Sequence, residues 1–297
     1  MRLVYLGTPA MAVPPLRSLV AAGHDVALVV SRADTRRGRG GATSPSPVKA
    51  AALELGLPVT SEVDDVLDTG AELGVVVAFG RIIRPHVLAA LPMVNLHFSL
   101  LPRWRGAAPV ERAILAGDDR TGVCVMDVDE TLDTGAVHAR AEIPLDDRIT
   151  ADDVRAELVR LGSELLVDTL AVGLGRPVPQ DPEGITYAEK LGSEDLHLDW
   201  VRPAGELHRM VRVGGAWTTF RDKRLKVVDA GPVPDGVVPP AAGPGEVLVA
   251  RGAAPVVVAA DGSGLALRTV QPEGRAVMDA TAWANGHRPE PGERLGQ

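Results

Sequence analysis

Asn95 and His97 stand two residues apart and alternate with the apolar Val94 and Leu96, after which the chain runs at once into Ser99-Leu100-Leu101-Pro102-Arg103-Trp104-Arg105. A polar pair closing an apolar strand, followed by a stiff turn, is where open α/β sheets place their ligands. Asp133 follows in the segment Asp129–Gly135. An imidazole exchanges protons near neutral pH, a carboxylate can orient and charge it, and an amide N–H can donate to a developing oxyanion. None of the three is a good covalent nucleophile in this setting. The set suits direct attack by an external nucleophile, such as an amine, on an acyl carbon. On spacing alone, plain alternatives stay open. His97 could be a structural strand-end histidine, Asn95 a loop tie, Asp133 a turn residue, and the Ser99–Gly106 stretch a connector rather than a pocket wall.

The elements needed to hold these groups are legible as alternating strand-like and helix-like runs. Residues 2–6, 25–31, 73–80, 93–98, 121–129 and 136–145 read as strands; 11–23, 47–56, 110–118 and 150–173 read as helices. Pro47 opens the second helix and Gly56 closes it, and Thr150 stands as a cap before Asp152 and Asp153. Such alternation predicts a doubly wound, mostly parallel sheet. Between about 176 and 203 the texture becomes a Pro-bounded connection. Short β-rich runs separated by turn residues follow, the pattern of a smaller all-β barrel or sandwich. Residues 230–245 are too rich in Pro and Gly for a strand and are expected to form a loop.

The 297 residues suffice for one large or two ordinary domains, with 45% hydrophobic and 24% charged residues, which argues against wholesale disorder. Cys124 is the single cysteine, so no internal disulfide forms and a reducing, cytoplasmic setting is expected. The first strand breaks early at Gly and Pro, without a signal-peptide pattern, and no apolar run approaches the roughly 18 residues of a membrane span. The net charge of −8 argues against indiscriminate nucleic-acid binding. The positives are nonetheless gathered in two islands: Arg32, Arg36, Arg37, Arg39 and Lys49, then Arg202, Arg209, Arg212, Arg221, Lys223, Arg224 and Lys226. They read either as a directed anion-binding face or as ordinary solvated surface. Gly7 follows the first strand, but its turn lacks the glycines of a dinucleotide fingerprint, and no phosphate-cradling GxxxxGK[ST] or GxSxG elbow occurs. The seven histidines are scattered and Cys124 has no thiol partner, so no metal site is expected.

The run NLHFSLLPRWRGAAPVERAILAGDDRTGVCVMDVDETLDTG (95–135) closely resembles the signature of the 10-formyltetrahydrofolate-dependent formyltransferases, and within them the branch acting on methionyl-tRNA. LGTPAMAVPPL (6–16), GRG…SPVKAAALELGLPV (38–59), TYAEKLGSEDLHLDW (186–200) and VQPEGRAVMDATAWANGHR (270–288) extend the likeness over nearly the whole chain. The resemblance implies a Rossmann-like catalytic domain (1–187), a linker (188–203) and an OB-fold-like β-barrel (204–297). It implies formyl transfer from 10-formyltetrahydrofolate to the α-amino group of methionyl-initiator tRNA by a cytoplasmic monomer. The family's triad falls on Asn95, His97 and Asp133. Its folate segment falls on Ser99, Leu100, Leu101 and Pro102, with the 129–135 loop closing over the pterin. Its tRNA contacts fall on Arg36, Arg37 and Arg39 of the 32–47 loop, Arg39 matching a key arginine, and on the barrel side on Arg212, Arg221, Lys223 and Arg224.

Two departures bear on tRNA binding. Gly41 and Ala42 follow Gly38-Arg39-Gly40 where relatives usually carry lysines, and the turn between Arg212 and Trp217 is shortened. Competing readings are a formyltransferase for an amino sugar-nucleotide or a purine-precursor amine, a 10-formyltetrahydrofolate hydrolase, and a catalytically silent RNA-binding module. The arginine-rich loop and the C-terminal barrel oppose the first, the whole-chain likeness the second. The intact triad and the scarcity of aromatic residues beyond Trp217, Phe220 and Trp283 oppose the third.

Overall fold

The structure is a computed structural model and describes residues 1–36, 43–250 and 252–297; the side chains of Thr35 and Arg36 are not described. It divides into two compact units. The first comprises residues 1–112, 119–145 and 153–190, and the second 113–118, 146–152 and 191–297.

The first unit is built on a seven-stranded sheet. Its strands in chain order are β1 (Arg2–Gly7), β2 (Asp25–Val30), β3 (Val59–Thr60), β4 (Leu73–Val77), β5 (Met93–His97), β6 (Arg120–Asp127) and β7 (Val137–Pro144). Their spatial order is β7-β6-β5-β4-β1-β2-β3. The five strands β5, β4, β1, β2 and β3 run parallel, and the order reverses between β4 and β2 around β1, as in a doubly wound fold. All five residues of β4 are buried, and so are Leu3 to Leu6 of β1. Strands covered on both faces read as unbroken apolar runs, which is why they were legible. β6 and β7 are antiparallel additions at one edge.

Helices α1 (Val13–Ala21), α2 (Pro47–Glu54), α3 (Pro85–Ala90), α4 (Pro109–Ala116) and α5 (Ala151–Val172) connect or follow the strands. α1, α2 and α3 carry proline in their first turn, where the missing N–H costs nothing. Ser46 caps α2 by accepting from the Lys49 N–H at 3.0 Å.

The second unit holds α6 (Ala204–Val213), β8 (Trp217–Phe220), β9 (Lys223–Pro232), β10 (Val247–Leu248), β11 (Val256–Val258), β12 (Gly264–Pro272), β13 (Met278–Asp279) and α7 (Ala280–His287). The sheet runs β8-β9-β12-β11-β10, with β13 on β12, and every pairing is antiparallel. Leu207, Leu225, Val227, Leu265, Val270 and Trp283 fill its core. The last residues of the chain bridge the two free edges. Val247 N–H donates to Glu293 O and Leu295 N–H to Gly245 O on one side, and Gly296 N–H to Thr219 O on the other, each at 2.9 Å. The sheet thus gains a barrel-like closure that protects edges which would otherwise present unpaired backbone groups.

Candidate active site

β5 carries the site. Its residues are buried except Asn95, which is half-buried, and His97 is 5% exposed. Because side chains alternate across a strand, Asn95 and His97 share one face of the sheet. β6 lies antiparallel beside β5, with Val94 opposite Asp127 and His97 opposite Cys124, so β6 ends level with the start of β5. The 128–136 loop must therefore fold back over the sheet to reach His97. Asp133 does so in the left-handed backbone region, at φ 51°.

The three polar groups meet there. Asp133 Oδ2 lies 3.6 Å from His97 Nδ1, and Asn95 Nδ2 lies 3.5 Å from Asp133 Oδ1. Gly106 N–H donates to Asp133 Oδ2 at 2.8 Å. His97 Nε2 is 2.9 Å from the Trp104 carbonyl, which can only accept, so Nε2 carries a proton. The neutral ring then points its Nδ1 lone pair at the Asp133 carboxylate. Those two atoms confront each other without a proton unless one is supplied, and a proton on either joins them by a charge-assisted contact. The arrangement is a proton-exchange pair next to an amide donor.

Backbone geometry around the pair leaves little freedom. Trp104 also lies in the left-handed region, at φ 64°, and its N–H donates to Thr186 Oγ1 at 2.9 Å. Gly106 has φ 125°, and a Cβ there would sit 2.8 Å from the Ala188 carbonyl. Strained residues gathered at one place are characteristic of functional sites.

The segment beyond His97 faces both ways. Ser99 is fully buried and donates to Arg103 O at 2.7 Å. Leu101 is buried with Cys124, Met126 and Val137, and its N–H lies against the Cys124 thiol. Burial pushes that thiol's pKa up, and the Leu101 contact pulls it partly back. Leu100 and Pro102 remain partly exposed, as is Leu132 of the 128–136 loop, at 63%. Among the described residues no cluster of His, Cys, Asp and Glu could hold a metal ion.

Residues 1–170 match the formyl transferase family model, and 190–288 match the formyl transferase C-terminal domain. A methionyl-tRNA formyltransferase from Heliobacterium modesticaldum is 44% identical over 319 residues, covering 100% of both chains. One from Symbiobacterium thermophilum is 42% identical over 312 residues, covering 99% of this chain and 95% of the relative. The chain belongs to the methionyl-tRNA formyltransferase family. The fold of the family extends further: an N-formyltransferase from Helicobacter canadensis, solved with folinic acid and dTDP-3-aminofucose, superposes with a TM-score of 0.70. It is 16% identical and covers 91% of this chain and 98% of its own.

The basic residues that the formyltransferase resemblance assigned to tRNA have different fates. Arg37 and Arg39 lie outside the described residues, and only the backbone of Arg36 is described, in a two-residue strand paired with Thr43–Ser44. Arg212 is not on the surface. It is 8% exposed, with Nε donating to Ile149 O at 3.0 Å and Nη2 to Asp146 O at 2.6 Å, so its charge serves the fold of the second unit. Arg221, Lys223 and Arg224 are exposed or half-buried and line a pocket of about 290 Å³ with Arg275, which the sequence reading missed. Arg221 is committed to Glu293 at 2.6 Å. The Arg224 guanidinium lies 4.1 Å from the centre of the Trp217 ring. Arg275 was overlooked because it stands alone in sequence, well beyond Lys226, where the basic island it joins in space ends.

Proposed function

We propose that this chain transfers the formyl group from N10 of 10-formyltetrahydrofolate to the α-amino group of methionyl-initiator tRNA, as a cytoplasmic monomer. The acceptor is supported by full-length likeness to methionyl-tRNA formyltransferases. The single observation that carries the chemistry is the Asp133 carboxylate lying against both the His97 ring and the Asn95 amide.

In the reaction the amine nitrogen bonds to the formyl carbon while the carbonyl π pair moves onto oxygen. The Asn95 N–H donates to that oxygen as it becomes negative. His97 exchanges its proton through Nδ1, since Nε2 is held by Trp104 O. The single proton the amine sheds passes through water to the His97–Asp133 pair, where His97 Nδ1 and the Asp133 carboxylate share it until N10 takes it up. The bond between the formyl carbon and N10 then breaks, and N10 takes up one proton. The products are formylmethionyl-tRNA and tetrahydrofolate, with no net proton change.

Ser99, Leu100, Leu101 and Pro102 form the folate segment in this reading. Partly exposed Leu100 and Pro102, with Leu132, offer apolar surface to the flat pterin. A proline-stiffened turn presents that surface at little ordering cost. Residues 1–187 act as the catalytic domain, 188–203 as the linker and 204–297 as the RNA-binding domain. Phosphates of the tRNA meet Arg36, Arg37 and Arg39 in the 32–47 loop, and Arg221, Lys223, Arg224 and Arg275 in the second unit. Arg212 is not among them, because it is 8% exposed and its Nε and Nη2 already donate to Ile149 O and Asp146 O.

Alanine variants at Asn95 and His97 test the assignment. Each is expected to slow formyl transfer by roughly a hundredfold or more while tRNA affinity stays near that of the unmodified chain. Equal loss of catalysis and tRNA binding would contradict it.

A further inference from the structure

Gln180 belongs to no helix or strand and stands 47 residues from Asp133, in the Pro-bounded stretch Pro177–Pro182. Its amide nevertheless joins two parts of the candidate site. Oε1 accepts from Arg105 Nε at 3.0 Å and from Nη2 at 2.8 Å. Nε2 donates to the carbonyls of Asp133 and Gly135, both at 2.8 Å. The orientation of the amide is not a free choice. A guanidinium can only donate and backbone carbonyls can only accept, so a flipped amide would lose all four bonds.

Asp133 needs such a hold, because a non-glycine residue in the left-handed region stays there only when its surroundings fix it. Two adjacent residues supply that hold from opposite ends. Gly106 N–H binds the Asp133 carboxylate directly, and Arg105, 7% exposed, acts on the Asp133 carbonyl through Gln180. Arg105 and Gly106 are themselves anchored by pairing with Tyr187 and Ala188.

We propose that Gln180 is a positioning residue for the acyl-transfer step, locking the Asp133 backbone so that its carboxylate faces His97 Nδ1 and Asn95. This rests on the proposed function. Gln180→Glu is the discriminating change. It keeps the side-chain shape and the Arg105 contact but puts a carboxylate oxygen where the two carbonyls need a donor. The expected result is a 10- to 100-fold fall in kcat, in keeping with a displacement of about 1 Å at a reacting group. KM for methionyl-tRNA stays within about twofold, and the melting temperature falls modestly because two carbonyls lose their donor.

A double-mutant cycle separates positioning from general damage. If Gln180 acts through Asp133, Gln180→Glu adds little further loss in an Asp133→Asn background. Additive losses, or a raised KM with kcat intact, would overturn the inference. Gln180→Met, which keeps the length and removes the amide, replaces the glutamate variant if that one does not fold, with the same expected fall in kcat. Failure of the unmodified chain to make formylmethionyl-tRNA would count against the function itself. An active chain matched by its Gln180→Glu variant would count against the positioning role alone.

Discussion

In the proposed reaction the Trp104 carbonyl sets which nitrogen of His97 exchanges a proton. By taking Nε2–H at 2.9 Å, it leaves Nδ1 as the exchanging nitrogen and turns that nitrogen toward Asp133. Asp133→Asn keeps an acceptor for Gly106 N–H but removes the charge that balances an imidazolium. The expected outcome is a loss of kcat on the order of a hundredfold with tRNA affinity retained, read in single-turnover transfer and in filter binding. A variant with unchanged single-turnover rate would remove Asp133 from the chemistry. Asn95 and His97 could be found in the sequence because strand alternation marks polar residues on an otherwise apolar run. The carbonyl of Trp104 and the N–H of Gly106 could not, since backbone groups are the same in every residue. Gln180 was hidden for a related reason, its partners being two carbonyls and an arginine 75 residues away. The thiol of Cys124 offers a second check at this scale. Burial raises its pKa, so less thiolate is present at any given pH, and alkylation at about pH 8 should be far slower in the folded chain than in denaturant. Rapid labelling of the native protein, followed by mass spectrometry, would show the packing of Leu101 on β6 to be wrong.

At the scale of elements, the loop between β6 and β7 depends on one glycine. A Cβ on Gly135 would overlap the Asp127 carbonyl oxygen, a clash no side chain tolerates. Gly135→Ala must therefore move the loop that carries Asp133. It should lower kcat by about tenfold or more and destabilise the first unit by roughly 1–3 kcal/mol, measured by thermal unfolding alongside the assay. Wild-type kcat in that variant would mean the loop position is unimportant. β1 and β4 were legible because they are covered on both faces and read as continuous apolar runs, and β5 because its two polar residues alternate with apolar ones. β3, two residues long, and α3, six residues long, were not, because neither spans enough residues to show a period. Strand direction is also absent from periodicity, so the antiparallel placement of β6 beside β5 could only come from the structure. That placement is what forces the loop to fold back and bring Asp133 to His97.

For the molecule as a whole, the question is how an acidic chain engages an acidic polymer. The net charge of −8 would repel RNA, so binding must rest on local concentrations of positive charge. Removing one cation that pairs with a phosphate should flatten the slope of log affinity against log salt by about one. Lys223→Ala and Arg275→Ala are each expected to do so, whereas Arg212→Ala is not. Removing Arg212 costs its hydrogen bonds to the Asp146 and Ile149 carbonyls, roughly 0.5–1.5 kcal/mol each. It should appear as a lower melting temperature with an unchanged salt slope, and the reverse pattern would return Arg212 to the RNA surface. Sequence charge alone grouped Arg212 with Arg221, Lys223 and Arg224, because an island in sequence does not say which side chains face inward. Among the described residues no helix is long and apolar enough to cross a membrane. The measurement that bears most directly on the whole account is acceptor choice. Transfer of labelled formyl from 10-formyltetrahydrofolate would be followed with methionyl-initiator tRNA, free methionine and an amino sugar-nucleotide as parallel acceptors. Formylmethionyl-tRNA alone is the expected product. Transfer only to the amino sugar-nucleotide, or release of formate without transfer, would keep the chemistry of Asn95, His97 and Asp133 and contradict the tRNA substrate.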